Sequence, residues 1–356
     1  MSDDVRPGRV RRAAQEALVG AALFGASAPV AKRLLADVPP LALAALLYTG
    51  AGLVLALAGT VQRRRVAAAH REAPLRRADG LLLASIGLFG GVVGPLLMLL
   101  SLPRLSGLTA SLLLNLEAPF TALLAVACFG EHLGRAEVVG TAIVIAAASA
   151  LGLPGGTLGG GWAGVLGMGG ACLAWALDNN LTQRLSVRDP VVVARVKGLA
   201  AGAINAGLAW WAGAAMPPIG TAVAGLSLGA ASYGVSLVLS VRAMRTLGAA
   251  RQAAYFATAP FAGALIAVAV FADRPTLPDL GAAAAMAAGV AVLVRAAHDH
   301  EHTHDALEHE HLHEHDLHHR HDHAGVVPGP HSHLHVHEAV THRHAHVSDA
   351  HHRHRH

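Results

Sequence analysis

Charged residues, aromatic residues and cysteine are all scarce in this chain. Only 14% of its 356 residues are charged and 4% are aromatic, whereas 53% are hydrophobic. The mean hydropathy of +0.46 includes a very polar C-terminus, so residues 15–296 are more apolar still. A soluble domain could not bury so many long uncharged runs, whereas a bilayer makes them favourable. The composition therefore predicts an integral membrane protein, with the lipid bilayer as its first partner.

Two further absences exclude other classes of protein. The two cysteines, Cys128 and Cys172, lie inside apolar runs, so nothing indicates a disulfide. No cleavable signal peptide is evident, because the first apolar run is long and leads straight into further runs. The formal net charge of +4 comes from arginines gathered in short loops, so no nucleic-acid partner is expected.

The apolar region has room for about ten membrane helices, since each crossing needs roughly 20 apolar residues. The runs are continuous and rich in Ala, Leu and Gly, and they lack the two-residue alternation of a β-barrel. The sequence therefore predicts an all-α integral membrane protein. The ten predicted spans cover residues 15–34, 39–61, 79–102, 106–129, 136–153, 161–185, 190–213, 220–244, 249–271 and 276–296.

The placement of arginine predicts the orientation of these spans. With a cytoplasmic N-terminus, 17 arginines fall on the inside, and only Lys32, Arg33, Arg104 and Arg274 fall on the outside. The sequence thus predicts a multi-pass protein of the cell (inner) membrane with both termini in the cytoplasm.

One apolar segment occurs twice, at Leu112–Gly130 and at Tyr255–Ala272. Each copy carries the triplet Ala-Pro-Phe, 141 residues apart, and an acid follows each copy. Five spans per unit is an odd number, so the sequence predicts ten transmembrane helices as two inverted five-helix repeats. Many secondary transporters have this architecture, with the substrate site near the midplane between the halves. The predicted units are a cytoplasmic segment 1–14, the repeats 15–153 and 154–296, and a tail 297–356.

This layout resembles the drug/metabolite transporter superfamily, in its EamA-type form with two five-helix units. The residues that carry the resemblance are Leu112–Pro119, Phe129-Gly130-Glu131-His132-Leu133, Gly140 and Ala259–Phe261, and it covers about residues 15–296. The second half departs from the pattern, with Ala272-Asp273 where Gly-Glu is expected. The resemblance implies transport of small metabolites, often export of amino acids or related compounds, and it leaves the solute open.

Polar side chains inside the spans are the candidates for a solute pathway, because such groups usually face protein or a wet cavity. Asn115 and Glu117 precede Pro119, which is expected to bend its helix. Residues two apart point to different helix faces, so both are not expected to line one cavity fully. The alternative is a packing kink with a protonated or hydrogen-bonded Glu117.

Asp178 and Lys197 are predicted to meet inside the membrane. Asp178 begins the polar run Asp178-Asn179-Asn180, about seven residues from the cytoplasmic end of its span, and Lys197 lies at a similar depth in the next span. Burial of one charge without the other would be very unfavourable, so a pair is expected. A static ion pair is the alternative to a substrate-binding or proton-coupling pair.

A second polar group opens the ninth predicted span. Arg251 is followed one turn later by Tyr255 on the same helix face. Together with Tyr233 and the carbonyl that Pro260 frees, these groups could bind an anionic part of a solute. The alternative is that Arg251 is a plain cytoplasmic anchor.

Two glycine motifs lie in the third and eighth predicted spans. They are Gly90-x-x-x-Gly94 and Gly225-x-x-x-Gly229. Such motifs let helix backbones approach closely, so both are interpreted as helix packing.

From His298 to His356 the chain changes character completely. This tail holds 23 of the 25 histidines together with ten carboxylates. Few apolar side chains remain to build a core, so a disordered segment is predicted in the absence of metal. Neutral imidazole suits Zn, Ni, Co and Cu(II), and protonation near pH 6.5 should weaken such binding. The candidate metal ligands are His298, His300, His302, His304, His309, His311, His313, His315, His331, His333, His335 and His337.

The leading hypothesis is a secondary transporter that exports a small metabolite, such as an amino acid, by alternating access. It requires no cofactor, and its tail binds divalent metal ions. The candidate solute-binding residues are Asn115, Glu117, Asp178, Asn179, Lys197, Arg251 and Tyr255. A second hypothesis is a transporter of Ni, Co, Zn or a metal chelate, although no span holds a histidine or a close set of carboxylates.

A hypothesis of another class is a membrane-anchored metal buffer or sensor, in which the helices merely hold the tail. No nucleophile–base constellation, nucleotide loop or catalytic metal set in the spans indicates an enzyme. The sequence leaves a homodimer open.

Overall fold

The described part of the chain is a bundle of membrane helices followed by short strands. The computed structural model describes residues 7–65, 73–129, 134–151, 161–185, 188–247, 249–295, 298–304, 307–313, 331–337 and 340–346. Its α-helices are α1 (Pro7–Gly25), α2 (Ser27–Leu34), α3 (Pro40–Arg65), α4 (Gly80–Ile86), α5 (Gly94–Ser101), α6 (Gly107–Leu113), α7 (Glu117–Phe129), α8 (Arg135–Leu151), α9 (Gly161–Gln183), α10 (Pro190–Trp211), α11 (Ile219–Gly229), α12 (Ser236–Leu247), α13 (Ala249–Phe256), α14 (Ala259–Phe271) and α15 (Leu277–Arg295). Tighter 3₁₀ segments cover Arg77–Asp79, Leu102–Arg104 and Leu114–Leu116, and wider π-helical segments cover Gly87–Val93 and Ala230–Val235.

These helices form ten spans. Eight helical stretches of the described residues are long and apolar enough to cross a bilayer. The two others, α8 and α9, have 17 and 23 residues and pack against those stretches. Five spans consist of two helices each: span 1 (α1–α2), span 3 (α4–α5), span 4 (α6–α7), span 8 (α11–α12) and span 9 (α13–α14). The other five consist of one helix each: span 2 (α3), span 5 (α8), span 6 (α9), span 7 (α10) and span 10 (α15). The prediction of an all-α membrane protein is confirmed.

Span 1 begins earlier than its apolar run. The helix starts at Pro7, inside the segment 1–14 that was predicted as a polar N-terminal segment. Proline suits the first turn of a helix, because its missing N–H would be unpaired there anyway. Glu16 then accepts from Arg242 of span 8, with 2.9 Å between Oε1 and Nη2, and it lies one turn from Arg12. Polar contacts therefore extend this helix beyond the part that hydropathy indicates.

Equivalent spans of the two halves pack against each other. Span 2 contacts span 7, span 4 contacts span 9, and span 5 contacts span 10. The other main contacts also occur in matching pairs. The contact of span 1 with span 8 corresponds to the contact of span 6 with span 3, and the contact of span 1 with span 9 corresponds to the contact of span 6 with span 4. Exchange of the halves thus reproduces the contact pattern, as a pseudo-twofold axis requires. The largest buried cluster crosses this junction and includes Leu47, Met98, Leu113 and Met286.

Spans 2 and 7 run antiparallel at their contact. A Cβ atom on Gly202 would lie 2.9 Å from the backbone nitrogen of Thr49, and one on Gly198 would lie 3.1 Å from the Cα atom of Gly52. Residue numbers therefore rise along span 2 and fall along span 7. Because these spans hold the same place in the two repeats, opposite directions mean that the second repeat is inverted.

Spans 4 and 9 have the same relation. A Cβ atom on Gly107 would lie 2.9 Å from the Cβ atom of Ala267, and one on Gly263 would lie 3.2 Å from Ser111 Oγ. Both spans are also interrupted just before a proline. The 3₁₀ segment Leu114–Leu116 separates α6 from α7, and a turn separates α13 from α14. The interruptions lie where the sequence predicts proline bends.

The histidine-rich tail contains four described strands of seven residues. Strand β1 (His298–His304) pairs antiparallel with β4 (Val340–His346), and β2 (Leu307–His313) pairs antiparallel with β3 (His331–His337). This differs from the predicted disordered segment, because strict alternation of histidine with other residues also has the two-residue period of a strand. The register places histidine opposite histidine at three positions of each ribbon. His315 lies outside the described residues.

Ala272 has a backbone conformation that favours glycine. It follows the end of α14 with φ 51° and ψ 31°, in the left-handed region. A Cβ atom makes this region unfavourable by about 1–2 kcal/mol. The second half has Ala272-Asp273 where the pattern expects Gly-Glu, so alanine and not glycine holds this left-handed position.

We therefore expect Ala272→Gly to stabilise the protein by about 0.5–1 kcal/mol, because the relief of the left-handed strain exceeds the entropy that glycine adds to the unfolded chain. Chemical unfolding in detergent micelles would measure this. The matched control is Ala284→Gly, the same substitution on the exposed face of α15, which should destabilise by up to about 1 kcal/mol. Destabilisation of equal size in both variants would contradict the strain.

Candidate functional site

Spans 6 and 7 bring Asp178 and Lys197 together as an ion pair. Lys197 Nζ donates to Asp178 Oδ2, and the two side chains are only 20% and 7% exposed. The start of α10 sets the depth of the lysine, because Asp189 Oδ1 caps that helix by accepting from Val191 N at 2.9 Å. The predicted pairing is confirmed: the two residues lie at equal depth on spans that both pack against the π-helical segment of span 3.

The ion pair packs against Gly90 in the π-helical segment of span 3. A Cβ atom on Gly90 would lie 2.5 Å from Lys197 Nζ and would overlap the Asp178 carboxylate. A Cβ atom on Gly94 would lie 2.7 Å from Trp175 Nε1. The interpretation of Gly90-x-x-x-Gly94 as helix packing is therefore wrong, because these glycines make room for polar side chains.

The second glycine motif does serve helix packing. A Cβ atom on Gly225 would lie 3.1 Å from the Cβ atom of Leu46, and one on Gly229 would overlap the backbone of Leu47. Both neighbours belong to span 2. Spans 2 and 8 therefore approach at backbone distance, as the sequence predicts.

The backbone of the same π-helical segment accepts hydrogen bonds from three other spans. Gly90 O accepts from the Tyr48 hydroxyl at 2.5 Å and from Trp175 Nε1 at 3.2 Å, and Gly91 O accepts from Asn205 Nδ2 at 2.9 Å. A π-turn disrupts the regular i to i−4 ladder, and such turns are frequent at functional sites. Sequence reasoning missed Tyr48, Trp175 and Asn205, because hydropathy does not say which way a span faces.

Glu117 lies at the same level on span 4. Its Oε1 accepts from Asn179 Nδ2 at 2.7 Å, and Asn180 Nδ2 donates to Thr121 O at 3.0 Å. Glu117 is half-buried and Asn179 is exposed. Glu117 is also close enough to Asp178 and Lys197 to interact with both electrostatically. We call Tyr48, Glu117, Asp178, Asn179 and Lys197 the central polar cluster.

Aromatic rings adjoin this cluster on the side of span 8. Tyr48 stacks on Tyr233 with ring centroids 5.6 Å apart, and Phe24 lies 5.8 Å from Tyr233 and 5.1 Å from Phe256. Tyr233 belongs to the second π-helical segment, which is the counterpart of the first in the inverted repeat. Charged and aromatic groups thus meet at Tyr48, near the middle of the bundle.

Three predicted site residues lie apart from the central polar cluster. Asn115 is buried and donates to Leu112 O at 3.0 Å, on the side of span 10, so it and Glu117 face different ways, as their spacing predicts. Arg251 is exposed at the beginning of span 9. Tyr255 packs with Ala13 and its neighbours from spans 1 and 8. The role of these three residues in solute binding stays a prediction.

The halves touch at one end of the bundle and part at the other. In spans 4 and 9, α6 packs closely on α14. By contrast, α7 packs on α8 and α9, whereas α13 packs on α1 and α12. The two interrupted spans therefore diverge toward the end where α7 finishes and α13 begins. Asn179 is exposed at mid-span, and we expect it to face this gap, because a polar group that faced lipid would be costly.

The end where α6 meets α14 is held by polar contacts between the halves. Asp273 Oδ2 accepts from Leu108 N at 3.2 Å, in the first turn of α6. Within the first half, Lys32 Nζ donates to Leu102 O at 2.8 Å and also to Leu105 O, and across the junction it lies 5.9 Å from the centroid of the Phe271 ring of the second half. The gap between the two halves, which we call the crevice, is therefore closed at this end. No group of three or more His, Cys, Asp or Glu side chains in the part of the chain described here could hold a metal ion.

Both halves of the chain match the same protein-family model. Residues 13–153 and 162–295 each match the model of the EamA-like transporter family. The chain belongs to this family. The resemblance that the repeated Ala-Pro-Phe segment indicates is therefore confirmed, and with it a multi-pass membrane transporter of the EamA type in a lipid bilayer.

Individual relatives agree with the family. A protein of Methanothermobacter thermautotrophicus (strain Delta H), described as an uncharacterized transporter, is 30% identical over 257 residues, which cover 68% of this chain and 75% of the relative. A protein solved by crystallography matches the fold with a TM-score of 0.58 at 24% identity, over 79% of this chain and 98% of the other. The second likeness concerns the fold alone.

Separate removal of the two members of the ion pair should be far more costly than removal of both. We expect Asp178→Asn or Lys197→Met to lower the free energy of unfolding by about 3–5 kcal/mol, because each leaves one buried charge without its partner. The double variant Asp178→Asn/Lys197→Met should recover most of that loss. Unfolding in detergent micelles measures all three variants.

The control for this cycle is Arg242→Ala, which removes the pair between Arg242 and Glu16 near the surface. Arg242 is 53% exposed, so its loss should cost no more than about 1 kcal/mol. Additive effects of the two central substitutions would contradict a coupled buried pair.

Proposed function

We propose that this chain exports a small metabolite that carries both charged and apolar parts, such as an amino acid or a related compound. Export would proceed by alternating access, in which the two inverted repeats rock about their shared contact. The observation that carries the proposal is the one-sided closure of spans 4 and 9 beside the central polar cluster. A crevice that is closed at one end and open at the other is one of the two states that alternating access needs.

The chemistry of the cluster favours this class of solute. A carboxylate group of a solute would find Lys197 and the Tyr48 hydroxyl as donors, and an ammonium group would find Asp178 as an acceptor. The rings of Phe24 and Tyr233 offer an apolar surface at the same depth. A zwitterion with an apolar side chain suits these three features together.

The direction of the crevice supports capture from the cytoplasm. Its open end lies where α7 finishes and α13 begins, next to the arginines Arg135 and Arg251. The positive-inside rule assigns that end to the cytoplasm. Export then requires that the solute enter from this side and leave when spans 4 and 9 exchange the ends at which they touch.

The histidine-rich tail gives a second candidate activity, divalent metal binding on the cytoplasmic side. Six pairs of histidines stand opposite each other in the two ribbons, for example His300 and His344, or His311 and His333. Directly opposite residues are nearest neighbours across an antiparallel pair, and neutral imidazole suits Zn, Ni, Co and Cu(II). The tail would then buffer or sense metal for the transporter.

Transport should survive loss of the tail. In proteoliposomes loaded with ¹⁴C-labelled amino acids, we expect the full chain and a variant lacking residues 298–356 to move label at rates within about twofold of each other, because the pathway lies in the spans. Lys197→Met should abolish most of this flux. If the truncated variant loses all flux, or if Zn²⁺ moves and no amino acid does, the membrane-anchored metal buffer or the metal transporter gains support instead.

Metal binding by the tail should depend on pH in one direction. Imidazole binds metal only when neutral, so affinity for Ni²⁺ or Zn²⁺ should be full above about pH 7.5 and fall steadily below about pH 6.5. Isothermal titration of the full chain across this range measures it, and the variant without residues 298–356 is the control. Equal binding by both proteins would place the metal elsewhere.

A further inference from the structure

The central polar cluster has an unequal number of positive and negative groups. Lys197 supplies one positive charge, and it is already paired with Asp178. Glu117 supplies a second carboxylate, whose Oε1 accepts from the neutral amide of Asn179. An amide donates a hydrogen bond but no charge. With every group ionised, the cluster would carry a net charge of −1 near the middle of span 4.

No other described side chain near Glu117 balances this charge. Span 6 contributes Asp178, Asn179 and Cys172, span 7 contributes Lys197, span 2 contributes Tyr48 and span 8 contributes Tyr233. Tyrosine and cysteine are neutral at physiological pH. An uncompensated carboxylate at bilayer depth is costly, so Glu117 must gain a positive partner or a proton.

The position of Glu117 suits exchange with water. It is half-buried, it opens α7 directly after the 3₁₀ segment Leu114–Leu116, and it lies beside the exposed Asn179. Movement of α6 against α7 at this interruption would carry the carboxyl group from one access path to the other. A carboxyl that faces each side in turn can take up a proton on one side and release it on the other.

We propose that Glu117 is the proton-binding site that couples solute export to the proton gradient. The inference rests on the proposed export function. When the crevice faces outside, the Glu117 carboxylate takes one proton from water; when it faces inside, the carboxylic acid returns that proton to water. One proton thus enters for each cycle in which a solute leaves.

Proton binding can be tested on the full-length protein without any solute. We would record infrared difference spectra of the purified protein in lipid while the pH is cycled, and follow the carbonyl stretch of protonated carboxyl groups. We expect Glu117→Gln to remove one carboxyl from this signal. The matched control is Glu137→Gln, the same substitution in the first turn of α8, where Glu137 Oε2 accepts from Gly134 N at 2.6 Å.

Two outcomes of that experiment would overturn the proposal. One is a signal from Glu117→Gln that matches the signal from the unchanged protein, because Glu117 would then not titrate. The other is removal of the Glu117 signal by Na⁺ at constant pH within the physiological range, because the site would then hold a metal cation in place of the proton. The Glu137→Gln protein shows how much a glutamate outside the central polar cluster contributes to the same band.

Coupling itself can be tested with ¹⁴C-labelled amino acids in proteoliposomes. We expect Glu117→Gln to retain exchange of labelled for unlabelled amino acid at equal pH, while movement driven by a pH gradient falls at least about tenfold. Glu137→Gln should keep both activities. Loss of exchange together with driven flux would overturn the proposal, because Glu117 would then bind the ammonium group of the solute.

The two experiments separate this inference from the function on which it rests. If the unchanged protein moves no labelled amino acid, the proposed solute class fails, while the infrared signal still decides whether Glu117 binds a proton. If amino acids move and driven flux is the same in Glu117→Gln, the export function stands and the coupling role of Glu117 is overturned.

Discussion

The close approach of spans 2 and 7 is the contact on which the rest of the bundle depends. Gly52 and Gly198 face each other where a side chain on either residue would collide with the backbone of the opposite span. In a bilayer, helix association relies on such packing, because lipid offers no hydrophobic drive between apolar helices. Both residues lie next to the pseudo-twofold axis, since the spans are counterparts in the inverted repeats. The two halves therefore meet backbone to backbone at the point about which they are related.

The same contact places the functional groups. Lys197 precedes Gly198, and Tyr48 O would lie 3.3 Å from a Cβ atom on that glycine. The backbone of both functional residues therefore lies at this contact, and their side chains reach the π-helical turn of span 3, whose Gly90 O accepts from the Tyr48 hydroxyl. A Cβ atom at position 198 would require the two spans to move apart by a few tenths of an ångström at this point.

The scaffold is symmetric, but the charges are not. Alignment of Arg33 with Arg184 puts Ser27 at the place of Asp178 in the first repeat, and the aromatic rings of Phe24 and Tyr233 surround that place. One half of the crevice is thus charged and the other is aromatic. If the proposed solute binds between them, this asymmetry would give it a defined orientation.

Much of this architecture could be predicted from the sequence, and the residues whose contacts were not predicted have one feature in common. Hydropathy and the repeated Ala-Pro-Phe segment predict the spans and their inversion, and equal depth predicts the contact of Asp178 with Lys197. Tyr48 and Gly90 carried no such signal, because composition fixes the depth of a residue but not the rotation of its helix. The same ambiguity led to the grouping of Tyr233 with Arg251, whereas Tyr233 stacks on Tyr48.

The interruptions of spans 4 and 9 connect the fold to the chemistry. Each proline removes a backbone donor and crowds the carbonyl one turn earlier, so each span divides into two segments that can pack independently. In this structure α6 and α14 share a tight contact while α7 and α13 pack elsewhere. The proposed alternating access would require the opposite arrangement, with α7 against α13, as the second state. Glu117 begins the segment that would have to move between the two arrangements. The proposed proton-binding site therefore lies on the part of the chain that the proposed change of state would move.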